Sequence, residues 1–167
     1  GLHRLAGPHM DAFITYFTTV INTLWLWAIL AAAGLWKRRS RWVTLTIIVA
    51  VILAILVGDV AIKHFVMRIR PYLVIPGAPT LDTLKYPISY SFPSGHSFFF
   101  FAGATVLFRS CRRLGIAAYG LACVVAFSRM YLFMHFPSDV LTGAVLGIII
   151  GNIAWQICGY AKKRLSH

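Results

Sequence analysis

A chain of 167 residues that is 59% hydrophobic, with mean hydropathy +0.77 and only 12% charged residues, cannot cover itself as a soluble domain of this size does, and it is too apolar to be disordered. Its formal charge of +12 comes from 16 Lys and Arg against four acids, Asp11, Asp59, Asp82 and Asp139, with no Glu. The basic residues fall between apolar runs rather than along one polar face, which argues against nucleic acid and for anionic lipid or phosphate as the partner; one integral membrane domain over residues 1–167 is expected.

Residues 1–20 are amphipathic and interrupted at Gly7-Pro8, the pattern of an interfacial or re-entrant segment. The chain opens on Gly1 rather than Met, as a processed or trimmed product would, and no cleavable signal pattern follows Arg4. A helix needs about 20 apolar residues to cross a bilayer. Five stretches approach this: 21–36, closed by Lys37-Arg38-Arg39; 42–69, stopped by Pro71; 95–110; 113–131; and 137–160, followed by Lys162-Lys163-Arg164. A loop over 72–93 carries Pro76, Pro79, Pro87 and Pro93, and its Tyr72, Leu73, Ile75, Leu81, Tyr86 and Tyr90 suit a lid or headgroup reader. The expected fold is all-α, a polytopic bundle of about five transmembrane helices plus the N-terminal interfacial segment. Gly143, Gly147 and Gly151 repeat at the spacing that lets helices approach closely. Trp25, Trp27, Trp36, Trp42 and Trp155 read mostly as belt residues. Cys111, Cys123 and Cys158 lack metal-ligand spacing and read as small core hydrophobes.

Alternation of the spans puts ten of the 16 basic residues on the side of the 37–41 loop, the 109–113 turn and the C-terminal tail. The positive-inside rule makes that side cytoplasmic and the other extracytoplasmic, in a multi-pass cell-membrane protein. The remaining polar residues gather on the other side. Intramembrane charges are costly and mark function by default. The end of the second span offers Lys63 and Arg70, two helical turns apart and so expected on one face. The third span opens with Ser94, Gly95 and His96; the fourth ends at Ser128-Arg129; the fifth opens near His135 and Asp139. Three cations beside a helix N-terminus suit a phosphate. Two histidines supply a nucleophile and a proton donor, and Asp139 is placed to hold one nitrogen of His135 as N–H. No acidic cluster is present to hold a divalent metal, so charge stabilisation falls to the cations.

Together, Lys63-x6-Arg70-Pro71, Pro93-Ser94-Gly95-His96 and Ser128-Arg129-x5-His135-x3-Asp139 resemble the three-part signature of the type 2 phosphatidic acid phosphatase family, membrane lipid phosphate phosphatases related to vanadium haloperoxidases. The resemblance covers residues 63–139 and fills every motif position. It implies a vanadium-haloperoxidase-like core and a single phosphatase domain needing no metal or other cofactor. It implies further that His135 forms a phosphohistidine, that Asp139 orients it, and that His96 protonates the leaving group and then activates water. Lys63, Arg70, Ser94, Gly95 and Arg129 would bind the phosphoryl oxygens. Members of this small bacterial type act on undecaprenyl diphosphate, phosphatidylglycerophosphate or phosphatidate. An outward-facing site, recessed by a third span of only about 16 residues or ~24 Å, suits conversion of undecaprenyl diphosphate to undecaprenyl phosphate. Phosphatidylglycerophosphate or phosphatidate hydrolysis is the alternative, and a non-catalytic lipid-binding or transport protein is the alternative of another class. Many members show six spans, against the five expected here.

Other polar residues have plainer roles. His3, His9 and His167 are expected to be solvated or interfacial. His64 should face away from Lys63 and be structural. Asp59, four before Lys63, should neutralise it. Arg68, off the face shared by Lys63 and Arg70, should snorkel to headgroups.

Overall fold

A computed structural model describes residues 8–21, 34, 41–76, 78 and 89–165, and no strand occurs among them. Helix α1 is Pro8–Ile21 and α2 is Arg41–Ala54; a π-helical stretch, Ile55–Ile62, continues α2 into the single turn α3, Lys63–Val66. A second single turn, α4, is Pro71–Val74, followed by the long helices α5, Gly95–Ser110, α6, Arg112–Tyr131, and α7, Pro137–Leu165. The stretches Arg41–Val74, Arg112–Tyr131 and Pro137–Leu165 are long and apolar enough to cross a membrane. The expected span 21–36 lies outside the described residues apart from Ile21 and Gly34.

The chain's local chemistry explains the boundaries. Ser94 has the extended backbone of an N-cap, and its hydroxyl accepts from the Ser97 N–H at 3.5 Å. Pro71 and Pro137 open α4 and α7, where a missing N–H costs nothing. The second expected span ends early. Met67 takes the left-handed conformation, φ 48°, and its N–H closes α3 on the Lys63 carbonyl at 3.0 Å. Arg70, preceding a proline, is held extended at φ −76°, ψ 149°. Residues 67–70 therefore leave the helical path. The last helix runs past the expected end at 160, with Arg164 stacked 4.9 Å from the Tyr160 ring.

Helix α5 is the centre of the bundle, packed against α7, α6 and α2. The α5–α7 approach is so close that a Cβ on Gly143, Gly147 or Gly151 would lie 2.5, 2.6 or 2.7 Å from the carbonyl oxygens of Ser94, Phe98 and Ala102. Ala50, Ala102, Val106 and Ala154 fill the core beside this seam. Trp155 packs partly buried against that cluster, whereas Cys111 and Cys123 are exposed rather than in the core. A second cluster joins Ile14 of α1 to Tyr131, Leu132 and Met134, and the Tyr131 hydroxyl donates to Asp11 at 2.6 Å. The N-terminal segment thus closes over the end of α6, a packing role that its amphipathic pattern did not reveal.

Candidate functional site

Antiparallel packing of α5, α6 and α7 brings the start of α5, the end of α6 and the start of α7 to one end of the bundle, where α3 also finishes. There they enclose a cavity of about 340 Å³. Lys63, Arg70, Arg129, His96 and His135 all border it. Gly95 and Phe99 of α5, with Met134, Ser89 and Asp59, complete its walls.

The charges around this cavity are unequally compensated. Lys63 pairs with Asp59, as the four-residue spacing anticipates. Arg70 is 3% exposed and brackets two segments. Its Nε donates to the Ser89 carbonyl at 2.6 Å and its Nη2 to the Ser89 hydroxyl at 2.8 Å and the Tyr90 carbonyl at 3.2 Å. Its Nη1 donates to the Met134 carbonyl at 3.0 Å and faces His135 Nε2 at 3.3 Å. Arg129 is 1% exposed; it reaches Thr18 Oγ1 at 3.3 Å and the Met134 sulfur at 3.7 Å, and its Nε has no hydrogen-bond partner. Among the described residues neither Arg70 nor Arg129 has a carboxylate within ion-pair distance. Two buried guanidinium charges at one cavity without counter-ions call for an anion of about two charges, and Arg forks match phosphoryl oxygens.

Lys63 and Arg70 reach the cavity together, but not as successive turns of one helix, because the break at Met67 intervenes. The same break corrects the expectation for Arg68. Rather than snorkelling, Arg68 Nη1 donates to Asp139 Oδ1 and to Ser138 Oγ, both at 2.7 Å, with its guanidinium 4.0 Å over the Phe136 ring. His64 faces its own helix as expected, its Nδ1 3.1 Å from the Asp59 and Val60 carbonyls, and meets Tyr90 edge-on.

His135 sits in the turn between α6 and α7, next to Met134, whose N–H donates to the Arg129 carbonyl at 3.1 Å. Its Nδ1 is 2.7 Å from the Ser91 carbonyl, while the nearer Asp139 oxygen is 3.8 Å away. Asp139 therefore supports the ring electrostatically, and Ser91 holds the nitrogen assigned to Asp139 by spacing alone. Asp139 is fully buried and takes Arg68, the Ser91 hydroxyl and the Phe136 N–H, the last at 2.9 Å. Burial holds the His135 imidazole below its ordinary pKa; the Arg70 charge pushes the same way and the Asp139 carboxylate opposes it. The ring is neutral at pH 7, with its Nε2 lone pair available on the cavity side.

Ser94 does not border the cavity. It is fully buried, and its hydroxyl also accepts from Ser97 Oγ at 3.1 Å, so its contribution is to open α5 toward the cavity. Four partners escaped sequence reasoning: Thr18, Arg68, Ser89 and Ser91. Pro71 was the one local signal, since a residue before proline avoids the helix and so marks a break near Arg68. Of the loop residues expected as a lid or headgroup reader, Leu81 and Tyr86 lie outside the described residues.

Residues 41–163 match the family model described as the PAP2 superfamily. An undecaprenyl-diphosphatase of Sulfolobus acidocaldarius is 32% identical over 134 residues, covering 80% of this chain and 64% of that protein. The chain thus spans slightly less than two thirds of that relative's length. A lipid A 4'-phosphatase of Porphyromonas gingivalis is 26% identical over 178 residues, covering 98% of this chain and 72% of that protein. The crystal structure of Aquifex aeolicus LpxE aligns with TM-score 0.72 and 26% identity, covering 93% of both chains.

Proposed function

Because the chain belongs to the PAP2 superfamily, we propose that it is a metal-independent membrane phosphatase acting on a lipid phosphate through a phosphohistidine at His135. The observation behind this is the meeting of two imidazoles and two uncompensated, buried guanidinium groups at one cavity.

His135 Nε2 attacks phosphorus; a P–N bond forms as the bond to the leaving oxygen breaks, and His96 gives that oxygen its proton. His96, now neutral, takes a proton from water, whose oxygen attacks phosphorus, and the P–N bond breaks to release inorganic phosphate. Arg129, Arg70 and Lys63 stabilise the charge on the equatorial oxygens, with the backbone at Gly95 adding the N-terminal dipole of α5. The Arg70 contact to His135 Nε2 is the one a phosphoryl oxygen takes over, which frees the lone pair as the substrate seats. Asp139 stabilises the imidazole as it gains charge.

Undecaprenyl diphosphate is the favoured substrate. The Sulfolobus relative carries that activity in its name, and a single phosphoryl group fills only part of a cavity of about 340 Å³. In this reading the site faces the extracytoplasmic side of the cell membrane, because exposed Arg109, Arg112, Arg113, Lys162, Lys163 and Arg164 gather at the opposite helix ends. The deciding experiment is phosphate release by detergent-solubilised protein from undecaprenyl diphosphate, phosphatidylglycerophosphate, phosphatidate and lipid A under one condition. Fastest turnover of undecaprenyl diphosphate, lost in His135→Ala, supports the assignment. A preference for a glycerophospholipid supports the alternative substrate class, and inertness toward every lipid supports a binding or transport protein.

A further inference from the structure

Resting on the reading of His135 as the attacking group, we propose that Arg68 is a positioning residue that sets the tautomer of His135 through Asp139 and Ser91. The tautomer follows from what surrounds the ring. Nδ1 lies 2.7 Å from a carbonyl oxygen, which only accepts, so Nδ1 carries the proton. Nε2 lies 3.3 Å from Arg70 Nη1, which only donates, so Nε2 carries the lone pair. A productive nucleophile needs this arrangement, and it depends on the Ser91 carbonyl being where it is.

Arg68 fixes that carbonyl from two directions. Its own backbone carbonyl accepts the Ser91 N–H at 2.7 Å. Its guanidinium donates to Asp139 Oδ1 at 2.7 Å, while the other oxygen of that carboxylate takes the Ser91 hydroxyl. Ser91 is thereby pinned through its N–H and its hydroxyl, leaving its carbonyl aimed at His135. Among the described residues Arg68 is also the one permanent cation paired with the buried Asp139 carboxylate. With that cation removed, the carboxylate keeps only the neutral Ser91 hydroxyl and Phe136 N–H as donors, and the group beside it able to take up positive charge is the His135 ring, with Nδ1 3.8 Å away. The ring is then drawn off the Ser91 carbonyl toward Asp139, and Nε2 leaves its line into the cavity.

The proposal separates Arg68 from Arg70, its neighbour but one. Arg70 borders the cavity and Arg68 does not, so Arg68 affects the chemical step without holding substrate. Its side chain is 36% exposed, so its loss opens no void in the core.

The test uses the full chain in detergent micelles, with ¹⁵N-labelled histidine and the His135 signals identified by their absence in His135→Gln. The wild type should show the Nδ1–H tautomer at His135, Arg68→Gln a shift away from it, and Arg68→Lys an intermediate pattern. Phosphate release from undecaprenyl diphosphate should show kcat lowered about 10- to 100-fold in Arg68→Gln, KM within about twofold of wild type by the same absence of cavity contact, and partial recovery in Arg68→Lys. An unchanged tautomer in Arg68→Gln, or a loss carried wholly by KM, overturns the role given to Arg68. Full activity in His135→Gln overturns the nucleophile assignment instead, and the two ring spectra still decide whether Arg68 sets the tautomer.

Discussion

The two ends of the helix bundle hold their basic side chains in opposite circumstances. At the cavity end Arg70, Arg129 and Asp139 are buried, and Arg68 and Lys63 are matched to carboxylates. At the other end Arg41, Arg109, Arg112, Arg113 and Lys162–Arg164 are all exposed. Charge in contact with water costs little and does little for stability. Buried charge costs several kcal/mol per ion, of the order found when such groups leave water, unless something compensates it. The cavity end leaves two guanidinium groups uncompensated, so it is the end built to receive an anion.

Substitutions sharpen this contrast by the size of their effects. His135→Ala should reduce phosphate release by about 10⁴-fold or more, the scale seen when a nucleophile is removed; turnover near wild type would end the two-histidine scheme. Arg129→Ala and Arg70→Ala should each cost about 10²- to 10³-fold, as loss of one transition-state donor does, measured as kcat/KM on the same lipid. The pH profile should come next in size. His135 must be neutral to attack, and its burial lowers its pKa. Activity is therefore retained below the ordinary imidazole value of about 6.5 and lost only at more acid pH. A rate that already falls on acidification through about pH 6.5 breaks the reading of a buried, neutral nucleophile.

The smaller effects test packing and the opposite end. Gly147→Ala should lower stability by about 1–3 kcal/mol in denaturant unfolding, because the added carbon meets the Phe98 carbonyl at 2.6 Å in the close α5–α7 seam. Arg112→Gln and Arg113→Gln, at the exposed end, should change stability by no more than about 0.5 kcal/mol and leave phosphate release unaltered. A large loss of activity there would show that the division between the two ends is wrong.

Composition and hydropathy were enough to establish a membrane helix bundle, because an apolar run of span length leaves the chain few other solutions. The starts of α5 and α7 were legible from Ser94-Gly95 and Pro137, since caps and prolines act within one turn. The glycine repeat announced the α5–α7 seam, because residues four apart share a helix face. The gathering of Lys63, His96, Arg129, His135 and Asp139 at one end followed from alternating helix directions alone. What each side chain does there was decided by tertiary structure. The left-handed turn at Met67 and the extended Arg70 reset the phase after α3, so that Arg68 and not headgroup water meets Asp139. Ser91 reaches His135 across 44 residues, and Thr18 reaches Arg129 across 111. Periodicity describes how neighbours in the chain share a face, and it carries no information on which distant donor arrives first at a buried carboxylate or an imidazole nitrogen.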